Sequence, residues 1–391
     1  MRYVLMCGVA ILGIASWHAL GFGSTEPILA SGRGSVTTVD CARFEGSDAG
    51  EIIQACLDAL PSGGIADARG LTGAQVVSHT LRLNHEGTVL QLGTPSTFTL
   101  ADGVTLDISA SNVRIEGEGA TTGFRLGNGS AVRIGSRGQP IWDWRLERID
   151  IEPAKGRTPL AGLLLIDARE GIIEQTTLTG FPGSAIDVGD NCWSNRSIDN
   201  NVVKNDIGYS FHGNELNAWN LRGGFVNSNR IGLKFDLGKG DLQGFSITDG
   251  TQMEDNKETA IALRSGEFRG LFLSNVYSEL FASERLIKAE PGAAGLRLNL
   301  LSIVDTYVYS KDTPPVLIRT GPADIAIVNV SNLVLRHSQQ QMAVAEAAGA
   351  NTSIVVSDSI SYSSTNDFAK TLTIGRGGAH VVTVRGGSPV Q

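Results

Sequence analysis

The chain has 391 residues with a formal net charge of −8, of which 41% are hydrophobic and 18% charged. That balance supports a buried core and excludes a disordered chain. It also argues against nucleic acid as a general partner, because no basic stripe supplies counterion release, while a local basic cluster could still hold an anionic glycan.

Residues 1–23 begin Met1-Arg2-Tyr3 and continue as an apolar run from Val4 to Phe22. This reads as a secretory signal peptide. A retained membrane anchor is the alternative, since the run approaches spanning length, although His18 interrupts it. Residues 24–46 read as a linker and first strand. Over 47–64 the spacing predicts a short α-helix. Asp48 with Glu51 resembles a capping box, Ile52, Ile53, Cys56, Leu57 and Leu60 share a face, and Pro61-Ser62-Gly63-Gly64 ends the element. Such a helix would cover the open end of a solenoid. Cys41 and Cys56 flank it and are candidates for a disulfide in an oxidising compartment, leaving Cys192 as a buried rather than reactive thiol. No cysteine pair has zinc-ligand spacing.

From residue 65 to 391 short strand-like segments recur. Taking Leu163, Ile186, Tyr209, Leu233, Ile261, Leu286 and Val316 as equivalent points, the gaps are 23, 23, 24, 28, 25 and 30 residues. A second series runs out of phase through Ile172-Ile173, Ile198, Leu221, Phe245–Ile247, Leu271–Leu273 and Leu296–Leu298. Two strand series sharing a period in the twenties mark a solenoid whose coils bury apolar side chains against their neighbours. The fold class is therefore all-β, a single-stranded parallel β-helix of about a dozen coils spaced ~4.8 Å apart. The stretch from Gln339 to Ala350 breaks the pattern and reads as a side loop or short helix.

The run Ser47-Asp48-Ala49-Gly50 through Cys56-Leu57-Asp58-Ala59-Leu60-Pro61-Ser62-Gly63-Gly64 resembles the opening of secreted pectate-lyase-like proteins. Gln252–Asn256 and Asn275–Glu279 resemble strand ends of the tailspike-like branch of that superfamily. The resemblance implies a right-handed parallel β-helix, a polysaccharide partner and, by analogy with tailspikes, a homotrimer as a candidate assembly. It leaves the reaction open. The Asn-Thr-Asp, Asp-Asp, Gly-His-Gly and Arg-Ile-Lys set of polygalacturonases is absent, as are the Asp-Pro-His-Asp signature of alginate epimerases and the calcium cluster of pectate lyases.

In a β-helix, matching points of successive coils stack, so spacing becomes geometry. His212, Asp236 and Arg264 share an offset of three from Tyr209, Leu233 and Ile261, with Lys234 beside them. Such a ladder could move a proton and hold an anionic sugar, as a lyase or epimerase requires; the plainer alternative is a solvated charge ladder. Glu254 and Glu279 each lie seven residues before an aligned point, which places two carboxyls on adjacent coils. Close carboxyls suit a glycosidase, because one of them stays protonated; the alternative is that both accept hydrogen bonds in turns. Asp249 is a third acid for substrate contact. Trp193 and Trp219 are candidate platforms for sugar rings, with packing under a loop as the alternative, and Trp142 and Trp144 are expected to pack. Asn205, Asn229 and Asn256 read as a structural asparagine ladder.

The reading favours a secreted polysaccharide-active protein. Hydrolysis through Glu254 and Glu279 stands narrowly ahead of elimination or epimerisation through His212 and Lys234, with Asp236 and Arg264 orienting substrate. A non-catalytic glycan-binding or cell-surface protein is the alternative. No cofactor is implied, although backbone and carboxylate oxygens could hold calcium without a readable motif.

Overall fold

The computed structural model describes residues 36–119, 121–280, 286–289 and 295–310, and beyond them Leu333 and the strands between Val316 and Arg385. The expected signal peptide and most of the linker lie outside the described residues. From Thr38 onward the chain winds as a parallel solenoid, and every inter-strand ladder is parallel. Each coil lays down strands on three faces, not the two series visible in the sequence. On the third face they form a 12-stranded sheet running from Gly73–Val77 to Ile360–Ser363. The first and second faces merge into one 25-stranded sheet, because Ile231–Thr248, Thr259–Phe268 and Leu296–Val304 run through the corner between them. The third series escapes a periodicity search for a physical reason. In mid-chain its strands are three residues long, and each buries a single side chain: Leu178, Val202, Val226 or Met253.

Register follows the expected points through Leu163, Ile186, Tyr209, Leu233 and Ile261. It then departs from them. Ile261 pairs with Ile287 rather than Leu286, and Ile287 with Ile318 rather than Val316. On the second face Ser197, not Ile198, lies between Ile173 and Leu221. Leu296–Leu298 pairs with Gly266–Phe268, so the true partner of Leu273 is Ile303. The expected loop or helix between Gln339 and Ala350 instead contains a strand, Met342–Glu346, in register with the strand at Val316–Thr320. Pairing with the preceding coil outweighs the helix preference of its alanines.

The interior is a continuous apolar column. Its widest side chains meet in mid-chain, where Phe211 stacks on Phe235 with ring centroids 4.8 Å apart and Phe245 meets both rings edge-on. At the corner leading from the third face to the first, Asn205, Asn229 and Asn256 are almost wholly buried and form the expected ladder. The Asn229 Oδ1 accepts from the Asn205 backbone N–H (2.9 Å) and side-chain Nδ2 (3.0 Å), while its own Nδ2 donates to the Val202 carbonyl (3.0 Å). The corner backbone thus spends its polar groups on side chains where no strand can pair with it.

The N-terminal helix, α1 (Ala49–Asp58), is capped as expected. The Asp48 Oδ1 accepts the Glu51 N–H at 3.0 Å, and the Glu51 carboxylate reaches back to the Ser47 N–H at 2.7 Å. Ile53, Cys56 and Leu57 face the core. The helix also covers a strand edge, since Gln54 accepts the Arg82 N–H at 2.8 Å and Asp48 the Ser78 N–H at 3.0 Å. That satisfies donors that would otherwise template aggregation. A disulfide joins Cys41 to Cys56, and Cys192 is free and buried, its thiol pushed up to about 12 by burial. Asn229→Ala should destabilise the protein by about 2–4 kcal/mol in denaturant titration, because it orphans a buried N–H and a buried carbonyl.

Candidate functional site

The third face carries the closest approach of like charges that the coil spacing can build. In Gln252–Glu254 and Tyr277–Leu280, Met253 and Ser278 point inward, so Gln252, Glu254, Tyr277 and Glu279 point out. The two strands pair with Gln252 opposite Tyr277 and Glu254 opposite Glu279. The next coil sets Tyr307 against Tyr277 and Tyr309 against Glu279. The Tyr277 and Tyr307 rings lie parallel with centroids 5.2 Å apart. One coil before the glutamates, Phe225 lies opposite Gln252 and is 40% exposed, a large apolar surface left open to solvent.

The electrostatics separate the two carboxyls. Burial, followed by repulsion from Glu279, raises the pKa of Glu254 above the ordinary glutamate value. Glu279 accepts a hydrogen bond from the Tyr277 hydroxyl at 2.5 Å, and that bond is the main reason the phenol titrates above its usual range. The Glu254 backbone is held by the Asn227 side-chain oxygen, which accepts its N–H at 2.8 Å. Adjacent rungs are ~4.8 Å apart, so the face combines a carboxyl of raised pKa, a second carboxyl and an aromatic border.

The other predicted residues do not join this pair. His212 stands at the far end of its first-face strand from the corner that leads out of the third face, so the two constellations share no sheet. Its expected partner, Asp236, is replaced by Asp187. Gly189, in the coil below, offers no side chain beside the imidazole, and the ring leans back to pair with the Asp187 carboxylate. That bond, against the effect of burial, raises the His212 pKa. The pairing commits the imidazole to Asp187 rather than to the expected ladder with Asp236 and Arg264.

Asp236 accepts from Ser265 Oγ at 2.6 Å and lies 3.8 Å from Lys234 Nζ. The expected His212–Asp236–Arg264 ladder fails because the register shifts after Phe235. Asp236 then pairs with Ser265 and skips Arg264, which lies 3.9 Å from Glu258. Asp249 sits where the chain enters the third face and is ion-paired to Arg222 at 2.8 Å.

Trp219 is 1% exposed and serves as core. Its ring meets Phe211 edge-on and its indole N–H donates to the Cys192 carbonyl at 2.8 Å, so it offers no platform for a sugar. The left-handed backbone at Ala218 resets the strand alternation and turns both Leu216 and Trp219 inward. Trp144 is buried as expected, whereas Trp142 meets Trp193 edge-on at 5.4 Å, and the Arg169 guanidinium lies over both rings. Among the described residues no group of three or more His, Cys, Asp or Glu is arranged to hold a metal ion.

No protein-family model matches this sequence, and a search of curated proteins found no match. Solved structures do match its fold. The catalytic unit of a thermostable GH87 α-1,3-glucanase from Streptomyces thermodiastaticus superposes with a TM-score of 0.51 at 11% identity, covering 90% of this chain and 70% of the glucanase chain. The Dettilon tailspike protein gp208 gives 0.50 at 11% identity, covering 87% and 68%. What these structures share with the chain is the fold, a parallel β-helix.

Sequence reasoning found the glutamate pair but missed Tyr277, Tyr307 and Asp187. Tyr277 was legible as an outward position of the 275–279 segment once that is aligned with 252–256, whereas Tyr307 lies one coil further on, outside both segments. Asp187 was not, because its contact with His212 is diagonal across a glycine. Followed by NMR, Glu254 should titrate above the ordinary glutamate pKa, and Glu279→Gln should lower that value without returning it fully, since burial remains.

Proposed function

We propose that the protein is exported and cleaves glycosidic bonds of an extracellular or cell-surface polysaccharide, using Glu254 and Glu279. The observation that carries this reading is their in-register pairing on the outer third face, with the Glu254 pKa raised by burial and by its neighbour. Glu254, holding its proton, donates it to the leaving glycosidic oxygen. Glu279 attacks the anomeric carbon, since a rung spacing of roughly 5 Å matches a retaining pair and leaves no room for an interposed water. Water then hydrolyses the glycosyl-enzyme, with Glu254 acting as base. Tyr277 orients Glu279, while Tyr307 and Phe225 offer apolar surface to sugar C–H faces.

A polysaccharide partner is in keeping with the α-1,3-glucanase of like fold. Export is in keeping with the apolar N-terminal segment and with the Cys41–Cys56 disulfide, which belongs to an oxidising compartment.

The test is a panel of neutral and uronic-acid polysaccharides, scored together for reducing ends and for ultraviolet-absorbing unsaturated products. Hydrolysis predicts reducing ends alone, and Glu254→Gln or Glu279→Gln should each lower kcat by ~100-fold or more. The rate should fall as pH rises through the elevated Glu254 pKa, because the acid is then lost. Unsaturated products, or glycan binding with no turnover across the panel, would overturn the assignment.

A further inference from the structure

Away from the glutamates, at the corner between the first and second faces, the chain builds an open pocket of about 290 Å³. Its origin is a bulge. Between Asp236 and Asp241 the strand Ile231–Thr248 spends five residues of advance where its neighbour, from Ser265 to Glu267, spends two. The extra residues are anchored. Leu237 is buried directly over Gly266, where any Cβ would come within 2.6 Å of the leucine Cβ, and the Gly238 N–H donates to Ser265 Oγ at 2.8 Å. This holds Lys239 out at the tip of the bulge.

Gly238, Gly266 and Gly295, from successive coils, line the pocket without side chains. Around them stand Lys239, Arg297 and Glu267, with Glu267 and Arg297 opposite each other in register. Lys239 and Arg297 are exposed and make no ion pair among the described residues, whereas Asp241, next in the same column, is taken by Arg269 at 3.2 Å. Among the residues lining the notch two cations stand against one carboxylate, which makes it locally positive in a chain of net charge −8.

We propose that this pocket binds a carboxylate-bearing sugar residue of a polysaccharide. Lys239 and Arg297 hold the carboxylate, and Glu267 accepts hydrogen bonds from ring hydroxyls. The side-chain-free glycines let the ring approach the backbone. The single carboxylate of Glu267 disfavours a multiply charged anion such as phosphate while suiting a polyhydroxylated one. The inference rests on a polysaccharide partner but not on the glutamates being catalytic.

Calorimetry on the Glu254→Gln protein keeps the two separate, because the ligand is not consumed and hydrolysis does not enter the readout. The probes are oligogalacturonate, oligomannuronate, a neutral malto-oligosaccharide of equal length and inorganic phosphate. At least one uronate should bind, with affinity falling as salt rises. Lys239→Gln and Arg297→Gln should each weaken that binding ~10-fold or more, the loss of one charge-assisted contact. Circular dichroism on these surface variants checks that the fold is intact. The proposal is overturned if neither uronate binds, if the neutral sugar binds as well, if phosphate binds more tightly than the uronates, or if the double variant keeps wild-type affinity.

Discussion

Parallel pairing between successive coils holds each residue roughly 4.8 Å from its counterpart one turn away, and the rest of the molecule follows from that repetition. Spacing of this kind rewards like next to like where the groups are apolar or amide. Phe211 therefore stacks on Phe235, and Asn205 on Asn229 and Asn256, each rung satisfying the backbone of the last. The same spacing penalises like charges. Glu254 and Glu279 are held together by backbone pairing whatever their side chains prefer, and their repulsion adds to burial in raising the Glu254 pKa. A pair held in this way is more easily understood as a site than as a contribution to stability.

Where the repetition breaks, the surface acquires shape. The coil containing Ile231–Thr248 is longer than the ones before it, and part of the excess appears as one anchored bulge, the rest entering at the two corners that follow. Two irregularities of opposite sense meet at this corner. Arg264 is an extra residue on its own strand, which takes it out of line with Asp236 and dissolves the expected proton-transfer ladder, while the bulge between Asp236 and Asp241 opens the notch beside Lys239 and Arg297. Ion pairs absorb most of the remaining first-face charge: Arg230 bridges Asp206 and Glu258, and Lys288 reaches Glu258 at 3.4 Å. Being partly exposed, these pairs add little stability, but they leave few groups free for chemistry.

Three regions thus differ in character. The third face has paired carboxyls and exposed aromatic rings. The His212 end of the first face has a pre-paired imidazole, and the bulged corner has two cations, Lys239 and Arg297, outside any ion pair among the described residues. The Trp142–Arg169–Trp193 cluster is more self-contained, its cation already sandwiched over its own aromatic faces.

Much of this was legible in the sequence because a solenoid converts period into contact. The coil repeat, the capping helix between Cys41 and Gly64, the asparagine ladder and the adjacency of Glu254 and Glu279 all depend on local spacing and near-neighbour pairing. The third face stayed hidden because strands with one inward residue carry no alternation to detect. Trp219 could not be placed by spacing either, since one left-handed residue, Ala218, reverses which side chains turn inward. Nor could the partner of His212, which depends on the side chain missing at Gly189, or the loss of Arg264 from its ladder, which depends on where a bulge forms. The sequence by itself determined a parallel β-helix and the pairing of its acids, since both arise between neighbouring coils. Which side chains face solvent, and which charges remain unpaired, only the tertiary structure decided, because a shift of one residue reverses a strand's faces.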